Sequence, residues 1–185
     1  VALLAEARRG DDALLQRIPR ERPLGRALAA LPGVTVVAEP RNRISPPTAL
    51  HGHHRQELRR RLRRLAERAS VTTVHVEQPE AVRERFLAFA AMHTTMMPQR
   101  RLDAVLAAPS ARTRMADYIA RRAAEGTAGI IEVHVDGRLA ASQIWLREND
   151  TYIAYRSTWD VAWTPYAMGL HVIEEFVQLV IRRSG

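Results

Sequence analysis

The residues best suited to binding chemistry lie where the last predicted strand gives way to the last predicted helix. Residues 159–168 join the two elements, so several backbone N–H groups at the helix start lack an intrahelical acceptor. Those donors and the positive end of the helix dipole form a site suited to a pyrophosphate. Gly169, with Ala167 before it, permits a close approach to the backbone, and Arg156 supplies positive charge. An ordinary strand-to-helix connection has the same pattern, so the residues alone leave both interpretations open.

Polar side chains on the neighbouring strands are candidates for proton transfer. Asp160 ends the third strand of the predicted sheet, where an Asx-type turn is an equal alternative. Tyr152 and Tyr155 point to opposite faces of that strand, so only one of them faces a given cleft. Glu132 and His134 share a face of another strand, although a solvated strand face is the simpler interpretation. Our catalytic candidates are therefore Tyr155 and Asp160.

Histidines and tryptophans provide two further sets of candidates. The HGHH stretch at residues 51–54 is predicted to be a loop, and it has no carboxylate or cysteine ligands close by, so we predict no metal site. We interpret the tryptophans as anchors of the core or of loops rather than as a carbohydrate platform: Trp145, Trp159 and Trp163.

The candidate residues are positioned by a predicted meander of three antiparallel strands. Residues 128–135 and 139–146 alternate between two faces, and Asp136-Gly137 between them is a strong signal for a tight hairpin. After a second turn, residues 151–158 form the third strand. The helix that follows carries an apolar stripe, which we expect to be buried against the sheet: Leu170, Ile173, Phe176, Val177, Val180 and Ile181.

Upstream of the meander, the pattern predicts three helices and a short strand. An arginine-rich helix at 55–69 has a narrow leucine stripe, and the strand follows it. Pro79 lies early in a second helix, and residues 92–98 are predicted to be irregular. Ser110 is the predicted N-cap of a third helix, which Gly126 ends.

These elements together predict an α+β fold whose central, mostly antiparallel sheet is flanked by helices. Residues 1–50, where prolines interrupt short elements, form part of an N-terminal αβ lobe and a linker. Residues 51–185 form the main domain, which we expect to be truncated at its C-terminus. A sheet edge left open there would favour pairing with a second copy, so a homodimer is a hypothesis.

Composition narrows the classes of function. All 28 basic residues are arginine and the net charge is +8, which favours anionic partners such as coenzyme pyrophosphates or nucleic acid. The absence of cysteine excludes a disulfide framework and a cysteine nucleophile, and it agrees with a reducing cytoplasm. No apolar run approaches the roughly 20 residues that a membrane-spanning helix needs. We therefore expect a cytoplasmic protein without a membrane span.

Four segments have an order and spacing typical of one superfamily: ELRRRLRRLAER (57–68), EVHVDGRLAASQIWLREND (132–150), TYIAYRSTWD (151–160) and PYAMGLHVIEEFVQLVIRRSG (165–185). Together they resemble the C-terminal acyltransferase domain of cellulose-biosynthesis-type proteins in the GNAT acetyltransferase superfamily, a relative of the Fem-type peptidyltransferases. The resemblance covers residues 55–185, and its order and spacing are more specific than any single motif in it.

The resemblance implies a GNAT-like α/β fold and transfer of an acyl group from acetyl-CoA or another acyl-CoA to an amine or hydroxyl acceptor, without a metal. The pantetheine arm would lie along residues 152–157, where a strand N–H would stabilise the developing oxyanion, and the pyrophosphate would lie at residues 165–170. The donor-binding residues on this interpretation are Arg156, Ser157, Pro165, Tyr166, Ala167, Met168, Gly169 and Leu170.

Three alternatives stay open beside this interpretation. A Fem-like domain would take its acyl group from aminoacyl-tRNA, and a degenerate domain would serve only as an interaction module. The third alternative is a basic nucleic-acid-binding module. The arginine-rich helix contains no interleaved aromatic residues and matches no nucleic-acid motif, so we do not expect a nucleic-acid partner.

Overall fold

The structure of the protein is a computed structural model, which describes residues 52–99 and 105–184 in addition to Ala30. The chain divides into two compact units, Val1–Ile44 and Ser45–Gly185. The elements predicted within residues 1–50 lie outside the described residues. The described elements are α1 Gly52–Ala66, β1 Val71–Val76, α2 Pro79–Gln99, the 3-10 helix η1 Val105–Ala107, α3 Pro109–Ala124, β2 Ala128–Val135, β3 Arg138–Glu148, β4 Thr151–Trp159, the 3-10 helix η2 Val161–Tyr166, and α4 Met168–Ser184.

The four strands form one antiparallel sheet in the order β1-β2-β3-β4. Asp136 and Gly137, with φ of 49° and 75°, form the hairpin between β2 and β3, and Asn149, with φ of 55°, forms the next turn. Gly126, with φ of 67°, follows α3 and donates its N–H to the carbonyl of Ala123. The predicted α+β class, the meander and the stop at Gly126 are confirmed.

Helices cover both faces of the sheet, because every central strand is apolar on both sides. On one face α2 and α3 bury Phe86, Phe89 and Ile119 against Ile130 and Ile144. On the other face α1 and α4 bury a second cluster, which consists mainly of Leu65, Ile131, Val133, Val135, Trp145, Met168, Val172, Phe176 and Val177. None of the described helices is long and apolar enough to cross a membrane.

Tertiary packing moves three helix boundaries away from the prediction. Residues 92–98 belong to α2, because His93 and Met96 extend its buried face by further helical turns. The prediction that Ser110 caps α3 is wrong: Pro109 begins that helix, and Ala108 precedes it without a side-chain cap. The histidines at 53 and 54 lie in α1 rather than in a loop.

The buried face of α4 is also rotated from the predicted stripe. Leu170 and Ile181 are 59% and 40% exposed, while Val172 and Leu179 are buried with Phe176 and Val177. The helix begins at Met168, whose side chain is fully buried. Burial of Met168 sets the register, since Met168, Val172, Phe176 and Leu179 recur at helical spacing along one side.

Gly129 and Trp145 form a close pair across β2 and β3. A Cβ atom at Gly129 would lie 2.7 Å from Cζ2 of Trp145, whose indole is buried. We expect Gly129→Ala to lower the free energy of unfolding by about 1–3 kcal/mol, because the buried ring cannot move aside. The coupling between the two positions is measured by urea unfolding of Gly129→Ala, Trp145→Phe and the double variant. Additive effects of the two substitutions would contradict a direct clash.

Candidate functional site

The N-terminus of α4 presents free backbone donors. Ala167, with φ of 56°, lies in the left-handed region, and its carbonyl accepts hydrogen bonds from the N–H groups of Leu170 and His171 at 2.9 and 3.0 Å. Within the described part of the chain, the N–H groups of Met168 and Gly169 have no hydrogen-bond acceptor. Unpaired N–H groups at a helix start are suited to an anion, and of these two residues Gly169 is partly exposed while Met168 is buried.

Arg61 of α1 adds a positive charge beside these donors. Its Nη1 donates to the carbonyl oxygen of Pro165 at 3.3 Å, and its Nε donates to Oε1 of Glu57 at 2.9 Å. The hydrogen bonds from Arg60 and Arg61 lower the pKa of Glu57 to about 2. Sequence reasoning did not single out Arg61 within its arginine run, although its place at the edge of the leucine stripe was a usable signal.

Gly169 has a structural reason to lack a side chain. A Cβ atom there would lie 2.8 Å from Cε3 of Trp159, whose ring packs on the first turn of α4. Trp159 therefore occupies the side of Gly169 that the sequence interpretation left for a ligand. The backbone N–H of Gly169 is one of the unpaired N–H groups at the helix start. The lack of a side chain at Gly169 lets Trp159 of β4 pack closely against α4.

The connection between β4 and α4 is shaped by local hydrogen bonds. The side chain of Asp160 accepts a hydrogen bond from the N–H of Ala162 at 3.0 Å and so caps η2. This geometry is the Asx-type alternative for Asp160. Tyr166 is partly buried, with its ring centroid 6.1 Å from that of Trp163, and Pro165 is exposed.

A β-bulge interrupts the pairing of β3 and β4 at Tyr155. Ile144 pairs with Arg156 and Trp145 pairs with Ala154, so Tyr155 has no partner in the ladder. The side chain of Gln143 donates to the carbonyls of Ile144 and Arg156, at 2.6 and 3.0 Å, and holds the bulge. The bulge leaves Tyr155 outside the ladder, within residues 152–157, where the resemblance places the pantetheine arm.

The bulge separates the predicted strand residues between two faces. Tyr155 packs against the α2–α3 cluster, and Arg156 lies on the same face because it pairs with Ile144. Tyr152 packs in the α4 cluster, 6.0 Å from Trp145 between ring centroids. Ser157 also lies on the α4 face, since it is two residues from Trp159. The structure thus places Arg156 away from the start of α4, where Arg61 supplies the charge.

The α2 face of the sheet contains buried polar groups. Glu132 is 1% exposed, which contradicts the predicted solvated face, because α2 covers this part of β2. Its Oε2 lies 3.0 Å from Nε2 of His134 and 3.9 Å from Nη1 of Arg85. Among the described residues, Oε1 of Glu132 has no partner, and the same is true of the Ser142 and Thr158 hydroxyls. Each such group costs about 1–3 kcal/mol if it stays dry.

His93 of α2 is a further buried polar side chain on this face. It is 2% exposed, stacks on Phe89 at a centroid distance of 5.5 Å, and neither ring nitrogen has a partner in the described part of the protein. Burial, and secondarily the charge of Arg156, lower the pKa of His93 to about 4. His93 is therefore neutral near pH 7.

A cavity of about 260 Å³ lies between the end of α2 and the end of β4. Its walls combine apolar side chains with one carboxylate and one hydroxyl, and consist of Met92, Thr95, Met96, Trp159, Asp160 and Val161. In the described ranges, no three histidine or acidic side chains lie close enough together to hold a metal ion.

The described domain is a four-stranded antiparallel sheet between two helical layers, and its bulged strand β4 leads to the start of α4. The family model described as "Acetyltransferase (GNAT) domain" matches residues 52–184. The chain therefore belongs to the GNAT acetyltransferase domain family, and residues 52–184 form a domain of the acyltransferase type.

Other comparisons add only a distant likeness. One similar solved structure is that of a conserved protein of unknown function from Bacteroides thetaiotaomicron VPI-5482, with 16% sequence identity and a TM-score of 0.47. The match covers 71% of this chain and 42% of that chain, so this chain spans less than half the length of that protein. No curated protein matches this chain.

Proposed function

We propose that the protein transfers an acyl group from acyl-CoA to an amine or hydroxyl acceptor. The observation that supports this most directly is the start of α4, where the N–H of the partly exposed Gly169 has no acceptor among the described residues and Arg61 contacts the carbonyl of the preceding Pro165. A free N–H group, a helix dipole and an arginine match the charge and the oxygen acceptors of a coenzyme A pyrophosphate. We propose that the donor is also contacted by Ser157, Pro165, Tyr166, Ala167 and Leu170.

The bulge in β4 supports the chemical step. β4 is the last strand of the described sheet, so its outer edge can accept the pantetheine amides as a further strand would. The acceptor nitrogen or oxygen attacks the thioester carbon, and a backbone N–H at the bulge near Tyr155 stabilises the oxyanion. The C–S bond then breaks, the acceptor loses a proton, and the coenzyme A thiolate gains one.

The biological setting is inferred from the resemblance. We propose an acceptor in polysaccharide or cell-envelope metabolism, acted on in the cytoplasm, in line with a chain that has no cysteine. An aminoacyl-tRNA donor is the alternative that failure to bind acyl-CoA would favour.

Leu170 provides a sharp test of the donor site, because it is exposed in the first turn of α4. We expect Leu170→Glu to weaken acetyl-CoA binding about tenfold, since its carboxylate would repel the pyrophosphate. The same carboxylate interacts favourably with the positive end of the helix dipole, which raises the free energy of unfolding by up to about 1 kcal/mol. Calorimetric titration of acetyl-CoA into the full chain measures the first effect, and urea unfolding measures the second.

Leu170→Gln is the matched control, because glutamine has the size of glutamate but carries no charge. It should bind acetyl-CoA as the wild-type protein does. The difference between the two variants should shrink at high salt, where exposed charges are screened. Equal affinity of Leu170→Glu and Leu170→Gln at low salt would place the pyrophosphate elsewhere, and no binding to the wild-type protein would contradict the acyl-CoA donor.

A further inference from the structure

The β-bulge turns two consecutive side chains of β4 to one face of the sheet. Tyr155 packs against the α2–α3 cluster, and Arg156 lies on the same face because it pairs with Ile144. The guanidinium carbon of Arg156 lies 5.6 Å from the centroid of the Tyr155 ring. Bulges often re-aim a side chain beside an active site. Here the bulge places a positive charge directly beside the strand position proposed for the thioester.

Arg156 has no anionic partner of its own in the described part of the chain. Other arginines there form ion pairs with carboxylates, such as Arg83 with Asp117 and Arg183 with Glu77. No described carboxylate forms an ion pair with Arg156, and its buried Nε has no hydrogen-bond partner among the described residues. The residue is nevertheless partly buried. A partly buried guanidinium without an anion is unfavourable, so this position favours the binding of one.

His93 of α2 is a second unpaired polar side chain beside Arg156. It is 2% exposed, and neither of its ring nitrogens has a partner among the described residues. Burial, and then the charge of Arg156, lower the pKa of His93, so the two side chains lie close enough to interact. A neutral imidazole carries one N–H donor, which suits a carboxylate oxygen. Arg156 and His93 therefore present hydrogen-bond donors from a strand and from the helix that covers it.

The acyl donor does not provide an anion at this position. We place its pyrophosphate at the start of α4, where Arg61 supplies the positive charge. The pantetheine arm and the thioester, which lie along β4 in the proposed complex, are uncharged. The acceptor is the other molecule that approaches the thioester. An anion bound by Arg156 therefore belongs to the acceptor.

We propose that Arg156 and His93 bind a carboxylate of the acceptor, and that the acceptors are small acids with a reactive amine or hydroxyl, such as amino acids and amino sugar acids. This proposal rests on the acyltransferase function proposed above and names the acceptor of that reaction. The outer nitrogens of Arg156 bind the carboxylate as a fork. A carboxylate held there directs the amine or hydroxyl of the same molecule towards the thioester at the bulge. Arg156 thus selects and positions the acceptor.

The first test compares acceptors that differ only in charge. Each amino acid or amino sugar acid of a panel is paired with its carboxamide, and thiol release from acetyl-CoA measures turnover. The protein has no cysteine, so the thiol signal comes from coenzyme A alone. We expect kcat/KM to be about tenfold higher for the carboxylate, because its hydrogen bonds to Arg156 are charge-assisted. Equal values for the two members of each pair, or no turnover of any acid, would overturn the proposal.

Substitution of Arg156 tests the residue itself. Arg156→Gln should raise the KM for the acid about tenfold, abolish the preference over the carboxamide and leave the KM for acetyl-CoA unchanged. Arg114→Gln is the matched control: Arg114 is exposed on α3, so this variant removes the same charge away from β4 and should keep the preference. A preference that survives in Arg156→Gln would contradict the assignment. Equal losses in both variants would also contradict it, since overall charge would then explain the preference.

A crystal structure provides a readout that does not depend on a folded variant. The full chain is crystallised with coenzyme A and the acetylated product of the best acid. We expect the product carboxylate within about 3.2 Å of an Nη atom of Arg156. A carboxylate of the protein itself at that position, or a product bound away from Arg156, would overturn the proposal.

The outcomes separate the two proposals. Lack of acetyl-CoA binding by the wild-type protein contradicts the proposed donor and the acceptor site with it. If acetyl-CoA binds and carboxamides are acylated as well as the acids, acyl transfer stands and only the carboxylate site is overturned.

Discussion

Replacing Phe86 with alanine is expected to lower the free energy of unfolding by about 3–5 kcal/mol. Phe86 is fully buried on α2, its ring centroid is 5.9 Å from that of Phe89, and both pack in the cluster that contains Ile130 and Ile144. Removal of the ring leaves a cavity that a close-packed sheet and helix layer fill only in part. Urea unfolding of the full chain, followed by circular dichroism, measures the loss.

The adjacent residue provides the matched control. Leu87 is 46% exposed on the same helix, so Leu87→Ala should change the stability by only about 0.5 kcal/mol. Comparison of Phe86→Ala with Leu87→Ala separates the effect of burial from that of helix propensity, because both substitutions place alanine in the same turn of α2. Similar losses in the two variants would mean that α2 is not docked on the sheet through Phe86.

His93→Phe is expected to remove much of the acid sensitivity of the fold. In the folded protein the pKa of His93 is lowered to about 4, mainly by burial, from an ordinary value of 6.5. The unfolded chain therefore binds a proton first as the pH falls. Stability is full above pH 6.5, declines as the pH falls towards 4, and levels off below that. The shift corresponds to about 3 kcal/mol.

Phenylalanine is a suitable replacement because His93 already stacks on Phe89 and neither of its ring nitrogens is bonded within the described residues. The measurement is urea unfolding at several pH values between 4 and 7. His75→Asn is the control. The pKa of His75 is also lowered, mainly by burial, but its side chain lies exposed on β1, so its replacement should change the pH dependence less than His93→Phe does. If the wild-type and His93→Phe proteins lose stability in parallel as the pH falls, His93 is not the buried neutral group described here.

Much of the fold was predictable because its signals are local. The Asp136-Gly137 hairpin and the stop at Gly126 require positive φ values that few other residues adopt, so each was recognisable without its neighbours. Strand alternation gave β2 its observed bounds, Ala128–Val135. The connection at residues 159–168 was recognisable for the same reason, since it follows a strand and precedes an amphipathic helix.

The polar part of the candidate site was harder to predict. Nothing near Glu132 in the sequence indicates that α2 lies over it, and its alternation with apolar residues fits a solvated face equally well. Similarly, the bulge at Tyr155 depends on a mismatch between β3 and β4, which no single strand reveals. The predicted apolar stripe of α4 included the exposed Leu170, because Met168 decides which side of the helix is buried.

The sequence by itself therefore determined the order of the elements, the turns between the strands and the position of the helix start that suits an anion. Those features depend on the backbone preferences of residues next to each other. Only the tertiary structure decided that Arg61 lies beside Pro165, that Trp159 covers Gly169, and that polar side chains are buried beneath α2. These contacts join residues far apart in the chain, and burial depends on which helix covers which face of the sheet.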